Sequence, residues 1–214
     1  MKKTNKSNTP KKPVRDRKLV ENKLVASACQ LLSELGPRAV TIRDIAKKAG
    51  VNHGQIHHYF GGKKGLLSVA MHRLAREHTE HVAQRTTDYA TVSNSRIPSN
   101  PPPLTLSQDK HYQMAVLRCV LDGEMELATI ELNNKTSIPR QVLNEVTETL
   151  DKKTPITDVK AAIAVAMCIE HAWAALDQYV LLVVDAKPSE IDDIRNAVAE
   201  ESRAMLERIL AKKS

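Results

Sequence analysis

From Arg17 onward, apolar residues recur at three- and four-residue steps. Val20, Leu24, Ala28, Leu31 and Leu35 mark one face of a helix. Gly36-Pro37 predicts its end. Thr41-Ile42-Arg43-Asp44 then has the form of a capping box. The Thr41 hydroxyl is placed to accept from the Asp44 N–H, and the Asp44 carboxylate to accept from the Thr41 N–H. A short helix follows, with Ile42, Ile45, Ala46 and Ala49 on its buried face and Gly50 at its end. Asn52, with Gln55 three residues on, predicts the cap of a second short helix that runs to Tyr59-Phe60. Gly61-Gly62 breaks it, and a longer helix is expected from about Lys63 to about Tyr89.

Residues 93–108 carry Pro98, Pro101, Pro102 and Pro103 and read as a linker. Beyond them, helices are expected at 109–132, 138–152, 156–184 and 188–212. Their starts are marked by Ser107/Asp109, Ser137 before Ile138-Pro139, Thr154-Pro155 and Lys187-Pro188. The last helix puts Ile191, Ile194, Val198, Met205 and Ile209 on one stripe, which suits packing on its own bundle or on a second copy. No segment has the two-residue period of a strand. The fold class expected is all-α.

Composition agrees: the chain is 42% hydrophobic but only 3% aromatic, so its core must be aliphatic. Charge divides it in two. Residues 1–88 carry 18 Lys and Arg against seven Asp and Glu, a net +11, and the remainder is −4, giving +7 overall. A basic front half points to a polyanionic partner. Residues 1–15 have almost no apolar side chains and are expected to form a disordered basic arm. Cys29, Cys119 and Cys168 are odd in number and far apart, as small buried thiols in a reducing, cytoplasmic setting would be. No signal peptide is expected, because no apolar run follows the first lysines. Ala161–Ile169 is continuously apolar, yet Glu170, His171, Asp177 and Gln178 would fall mid-span. A buried helix without a membrane is the expectation there.

The chemistry concentrates in 41–60. Ala46 lets a second helix approach, Gly50 supplies a turn conformation that other residues resist, and Ile56 locks the second helix onto the first. A helix-turn-helix needs these properties, because its second helix must stand rigidly proud to enter the major groove of double-stranded DNA. His53, Gln55, His57, His58 and Tyr59 are polar groups able to meet base edges and phosphates, and Gly54 permits close approach. Gly61-Gly62-Lys63-Lys64 offers backbone N–H groups and lysines as a phosphate clamp.

The run TIRDIAKKAGVNHGQIHHYFGGKKGLL, with the helix before it, resembles the DNA-binding domain of the TetR family of transcriptional regulators over residues 17–75. The resemblance implies phosphate contacts from Thr41, Tyr59 and Lys63. It implies base or mixed contacts from Arg43, Asn52, His53, Gln55, His57 and His58. His57 departs from the Tyr usual in the family, Asn52 from Ser or Thr, and Gly61-Gly62 from a Pro-Ser pair, so no operator sequence transfers. The family also implies a homodimer through the last two helices. The function expected is a ligand-responsive repressor that binds a palindromic operator as a dimer and is released by a small-molecule effector; the alternative is a transcriptional activator or a DNA-binding protein without a small-molecule effector. The domains expected are the arm at 1–15, a helix-turn-helix DNA-binding domain at 16–75, and a helical ligand-binding and dimerisation domain at 76–214.

Other chemistry is thin. His53 and His57 are four apart, as two metal ligands on a helix would be, but no HExxH or third ligand accompanies them, and no metal is expected. His72, His78 and His81 are expected on a solvated or inter-domain face of the long helix. There is no GxSxG, P-loop or GxGxxG, so neither an enzyme nor a cofactor is expected. Glu170, His171 and Asp177 interrupt an apolar helix, and Glu170, Trp173 and Asp177 share a face, as on a partly exposed helix or at a dimer seam with buried pairs. Alternatively, with Met167 and His171, they wall an effector pocket that suits a cationic or hydrogen-bond-rich ligand.

Overall fold

A computed structural model describes residues 14–90, 109–133, 135–149 and 155–211. The expected arm and the proline-rich linker lie outside them, save that Val14 and Arg15 open the first helix. All the regular structure described is helical. The order is α1 (Val14–Ala39), α2 (Ile42–Ala49), α3 (Gly54–Phe60), α4 (Lys63–Ala90), α5 (Lys110–Leu121), α6 (Met125–Ala128), α7 (Ile130–Asn133), α8 (Ile138–Thr149), α9 (Ile156–Val183) and α10 (Ile191–Ala211). A 3₁₀ turn, Pro188–Glu190, leads into α10. The all-α class is as expected.

Two boundaries differ from the sequence reading. Gly36, at φ 83° and ψ 165°, breaks α1 where expected, but a further turn through Pro37 continues to Ala39. The helix expected over 109–132 is three pieces. Gly123 sits at φ 78°, and the chain re-enters helix at Met125 and again at Ile130. A right-handed helix cannot absorb a residue in that conformation.

One aliphatic interior joins α1 to α7. Leu24, Leu32, Ile45, Ile56, Leu66 and Met71 have no more than a trace of exposed surface. The same cluster continues into Tyr112, Ala115 and Cys119 of α5, Leu127 of α6 and Ile130 of α7. Each such aliphatic side chain contributes about 1.5–3 kcal/mol on burial. Leu35, expected on the buried face, is instead exposed in the last turn before the Gly36 break. Polar contacts bind the same surfaces. The Arg38 backbone N–H donates to Asp122 Oδ2 at 2.8 Å, and Arg118 Nε donates to the Ser33 carbonyl at 2.9 Å. The interior thus passes residue 75 unbroken, within the continuous helix α4.

A smaller cluster seats Ala166 and Trp173 of α9 against Ile194 and Val198 of α10. The α10 stripe therefore packs on its own bundle at these two positions. The opposite side of α9 is bare. Ala161, Val165, Cys168, Ala172, Ala175, Tyr179 and Leu182, alternating by four and three residues, are all exposed. Leu182 is 78% exposed. Two expectations are corrected here. α9 is long and apolar enough to cross a membrane, and only 28% of its most apolar stretch is buried, so it is not a wholly interior helix. Cys168 stands on the bare stripe and is exposed, whereas Cys29 and Cys119 are buried. Burial pushes those two thiols up to about 11 and about 12.

The junction of α3 and α4 is braced by a close backbone approach. A Cβ on Gly65, in the first turn of α4, would lie 1.9 Å from the Phe60 carbonyl oxygen. Only glycine fits there, and the obstacle is backbone. Gly65→Ala is therefore expected to lower the thermal unfolding midpoint by roughly 3–10 °C, the cost of overpacking. Circular dichroism melting reads this; an unchanged midpoint would mean that the α3–α4 approach is not a constraint.

Candidate nucleic-acid interface

The α2 cap forms as its sequence predicts. Thr41 Oγ1 accepts from the Asp44 N–H at 3.2 Å, and Asp44 Oδ2 accepts from the Thr41 N–H at 3.2 Å. The bond from the Thr41 hydroxyl holds the Asp44 carboxyl below its usual range. Gly50 closes α2 at φ 67° and ψ 36°, a left-handed conformation in which its Cβ-free carbon is unstrained. Its N–H donates to the Lys47 carbonyl at 3.2 Å, and the Val51 N–H to the Ala46 carbonyl at 3.0 Å. These bonds satisfy carbonyls the helix end would otherwise leave open.

Asn52 caps differently from expectation. Its Oδ1 accepts from the Gly54 N–H at 2.8 Å, a bond reaching two residues rather than three, and His53 occupies the backbone cap position. Ile56 is fully buried and Ala46 nearly so, giving the lock the spacing implies. His53, His57 and His58 project from α3 and are exposed, with Arg43 exposed on α2. Asn52 and Thr41 are exposed beside them, and Gln55 is half-buried. Tyr59 and Phe60 are half-buried against the core.

Sequence reasoning missed two supports. The Arg17 guanidinium lies 5.3 Å above the Tyr59 ring. Lys64, half of the expected lysine clamp, is drawn to Glu126 of α6 at 2.7 Å, leaving Lys63 at the head of α4. Neither partner is near in sequence, so no local signal announced them. Gly65 was legible, since a glycine inside a helical run signals close approach.

Two short helices on a buried Ile56, with a polar outer face on the second, define a helix-turn-helix DNA-binding domain. Residues 24–70 match bacterial regulatory proteins of the tetR family. Over these residues the helix-turn-helix head of this chain is similar to that family. It is 43% identical over 65 residues to the HTH-type transcriptional regulator BetI of Stenotrophomonas maltophilia, covering 30% of this chain and 33% of that protein. It is 41% identical over 73 residues to the HTH-type transcriptional regulator BetI 1 of Chromohalobacter salexigens, covering 34% of each. The match thus spans about a third of the length of these relatives. Across the whole fold, a transcriptional regulator from Rhodococcus sp. Rha1 is similar with a TM-score of 0.57 at 16% identity, covering 90% of this chain and 96% of that one. That likeness is one of fold.

The expected effector residues do not gather round one space. Met167 is 41% exposed, Trp173 packs toward α10, and Asp177 is paired with Lys110 of α5 at 2.9 Å. Glu170 and His171 are half-buried. The polar interior lies where α4, α5, α7 and α9 meet. Asp109 receives both expected α4 histidines, His78 Nδ1 at 3.0 Å and His81 Nδ1 at 2.5 Å. Burial pushes the Asp109 carboxyl up, but the bonds from His78 and His81 outweigh this and hold it below its usual range. The His78 ring stacks on Tyr112 at 4.4 Å. The buried Tyr112 hydroxyl donates to Glu131, and burial pushes the Glu131 carboxyl up. Burial likewise lowers His171, whose ring N–H donates to the Gln113 carbonyl. No group of three or more His, Cys, Asp or Glu converges as metal ligands among the described residues.

The Glu131 shift has a signed consequence. A carboxyl raised above its unfolded value of about 4.3 is stabilising below that pH and loses this contribution as pH rises through the folded value. Glu131→Gln is expected to be more stable than the parent at pH near 8, with the difference vanishing toward pH near 4. Urea midpoints across pH measure this, and a difference that grows toward acid would refute it.

Proposed function

We propose that this chain is a transcriptional regulator that binds a palindromic operator as a homodimer and releases it on binding a small-molecule effector, and so acts as a repressor in the cytoplasm. The observation that carries this reading is the exposed polar face of α3, seated on the core through Ile56 in a head similar to the TetR family. Regulators are what the relatives of this head are named as, and an enzyme reading has no nucleophile–base pair behind it. Arg43, Asn52, His53, Gln55, His57 and His58 are the proposed base readers. Thr41, Tyr59 and Lys63 are the proposed phosphate contacts, joined by the exposed Lys47 and Lys48.

Gel-shift titration against genomic fragments tests the regulator reading. Specific complexes are expected at moderate salt, and the Gln55→Ala/His57→Ala double variant is expected to lose about 10-fold or more in specific affinity with helical content unchanged. Binding without sequence preference, or a silent double variant, would overturn the assignment of α3 as the reader.

The dimer reading rests on the bare stripe of α9. An unpartnered apolar stripe at heptad spacing is suited to pairing with its own copy, and α10 packs beside it. This brings two α3 helices onto one duplex. Leu182→Glu is expected to yield a monomer by sedimentation analysis and to weaken operator binding steeply. A dimer of unchanged mass would place the interface elsewhere.

A further inference from the structure

Within the head, α1 and α4 leave an open groove between them of about 730 Å³. Leu19, Lys23 and Ala26 line it from α1, and Val69, Arg73 and Arg76 from α4. Both sets step by four and then three residues, so each helix turns one continuous face to the groove. The two walls also repeat one chemistry, an aliphatic side chain followed by cations. Leu19 is 55% exposed and Val69 42%, while Val25, which also lines the groove, is buried. Exposed aliphatic surface inside a concave site is suited to binding an apolar group.

Charge in the groove is one-sided. Among its lining residues Lys23, Arg73 and Arg76 stand against a single carboxylate, Glu77. Arg73 takes Glu77 at 2.7 Å, and the nearby Glu21 goes to Arg17 at 2.7 Å. Glu80 stands 3.7 Å from Arg76 with both side chains about two-thirds exposed, a pair that water screens. Lys23 has no ion pair among the described residues. Positive charge is thus left over on each wall, at Lys23 and Arg76. Inorganic anions and duplex DNA have the charge but no apolar part to lay on Leu19 and Val69. A stable protein partner needs about 800 Å² from each side. The groove runs along only about 10 Å of α1, from Leu19 to Ala26. Its volume lies within the range of about 300–1,000 Å³ that small molecules occupy.

We propose that the groove between α1 and α4 binds a small organic monoanion with an apolar tail, its charged end held by Lys23 and Arg76 and its tail laid over Leu19 and Val69. The site is in the head and stands apart from the effector reading of the body. When occupied, it ties α1 to α4, the helix that carries Leu66 and Met71 into the head's core and His78 to Asp109. The support of α3 thereby gains an input of its own.

The test uses the full chain without DNA at constant pH, with sodium octanoate below its micelle concentration as the probe. Sodium sulfate, charge without a tail, and octylammonium chloride, a tail with the opposite charge, serve as comparisons at equal ionic strength. Imidazole resonances of ¹⁵N-histidine-labelled protein are followed. His72 lines the groove, and His171 reports on α9, whose bare stripe also offers apolar surface. Octanoate is expected to shift His72 to saturation and to leave His171 in place. Lys23→Gln/Arg76→Gln, which alters two exposed side chains, is expected to raise the dissociation constant about tenfold or more. Val69→Glu sets a carboxylate in the groove and is expected to abolish the shift. The proposal is overturned if octanoate leaves His72 unmoved, if sulfate or octylammonium moves it as far, or if either variant titrates as the parent does. A shift of His171 without one of His72 would put the anion on α9 and equally overturn it. Loss of operator specificity would count against the regulator reading alone, since no readout here contains DNA.

Discussion

Between Leu66 and His78, α4 makes little more than three turns, yet it supplies both the centre of the head's core and the ring that meets Asp109. Twelve residues of helix span about 18 Å. No glycine or proline interrupts that stretch, and both of its ends are buried. A rigid rod with both ends packed transmits a displacement instead of absorbing it. The rest of the architecture follows from this. The head cannot tilt without moving His78, and the polar interior cannot rearrange without pulling on the rod that braces α3.

The head was legible in the sequence because its determinants are local. Thr41 and Asp44 are three residues apart, Gly50 needs only its own backbone, and Ala46, Gly50 and Ile56 sit on one short motif. The body was not. Asp109 was read as a helix-start cue, and it does precede α5, but its side chain makes no cap and instead serves two histidines about 30 residues earlier. The effector residues were sought along α9 alone, where a shared helical face can be counted. Glu131 and His171, whose Oε1 and Nδ1 are buried without partners, lie on α7 and α9, and burial in a tertiary interior is a property no periodicity encodes. Glu131 sat inside a stretch read as one long helix, which the left-handed Gly123 divides.

Charge and exposed apolar surface divide the molecule by task. Lys47, Lys48 and Arg43 crowd the surface beside α3, and the acidic remainder of the chain carries its bare apolar stripe on α9 instead. The same stripe accounts for the apolar run that mimics a membrane segment. A helix that is core on one side and unpartnered on the other is apolar nearly all round. Cys168 belongs to that surface, which explains why it departs from the buried state of the other two cysteines.

The seat of α3 has a consequence for how its specificity can change over evolutionary time. What fixes the helix is Ile56 from below and the bare backbone of Gly65 against the Phe60 carbonyl. What projects from it is His53, His57 and His58, none of which contributes to the core. Aim and vocabulary are thus stored in different atoms. If these side chains read bases as proposed, they can change, and a lineage can acquire new operators, while the angle at which α3 is presented stays the same.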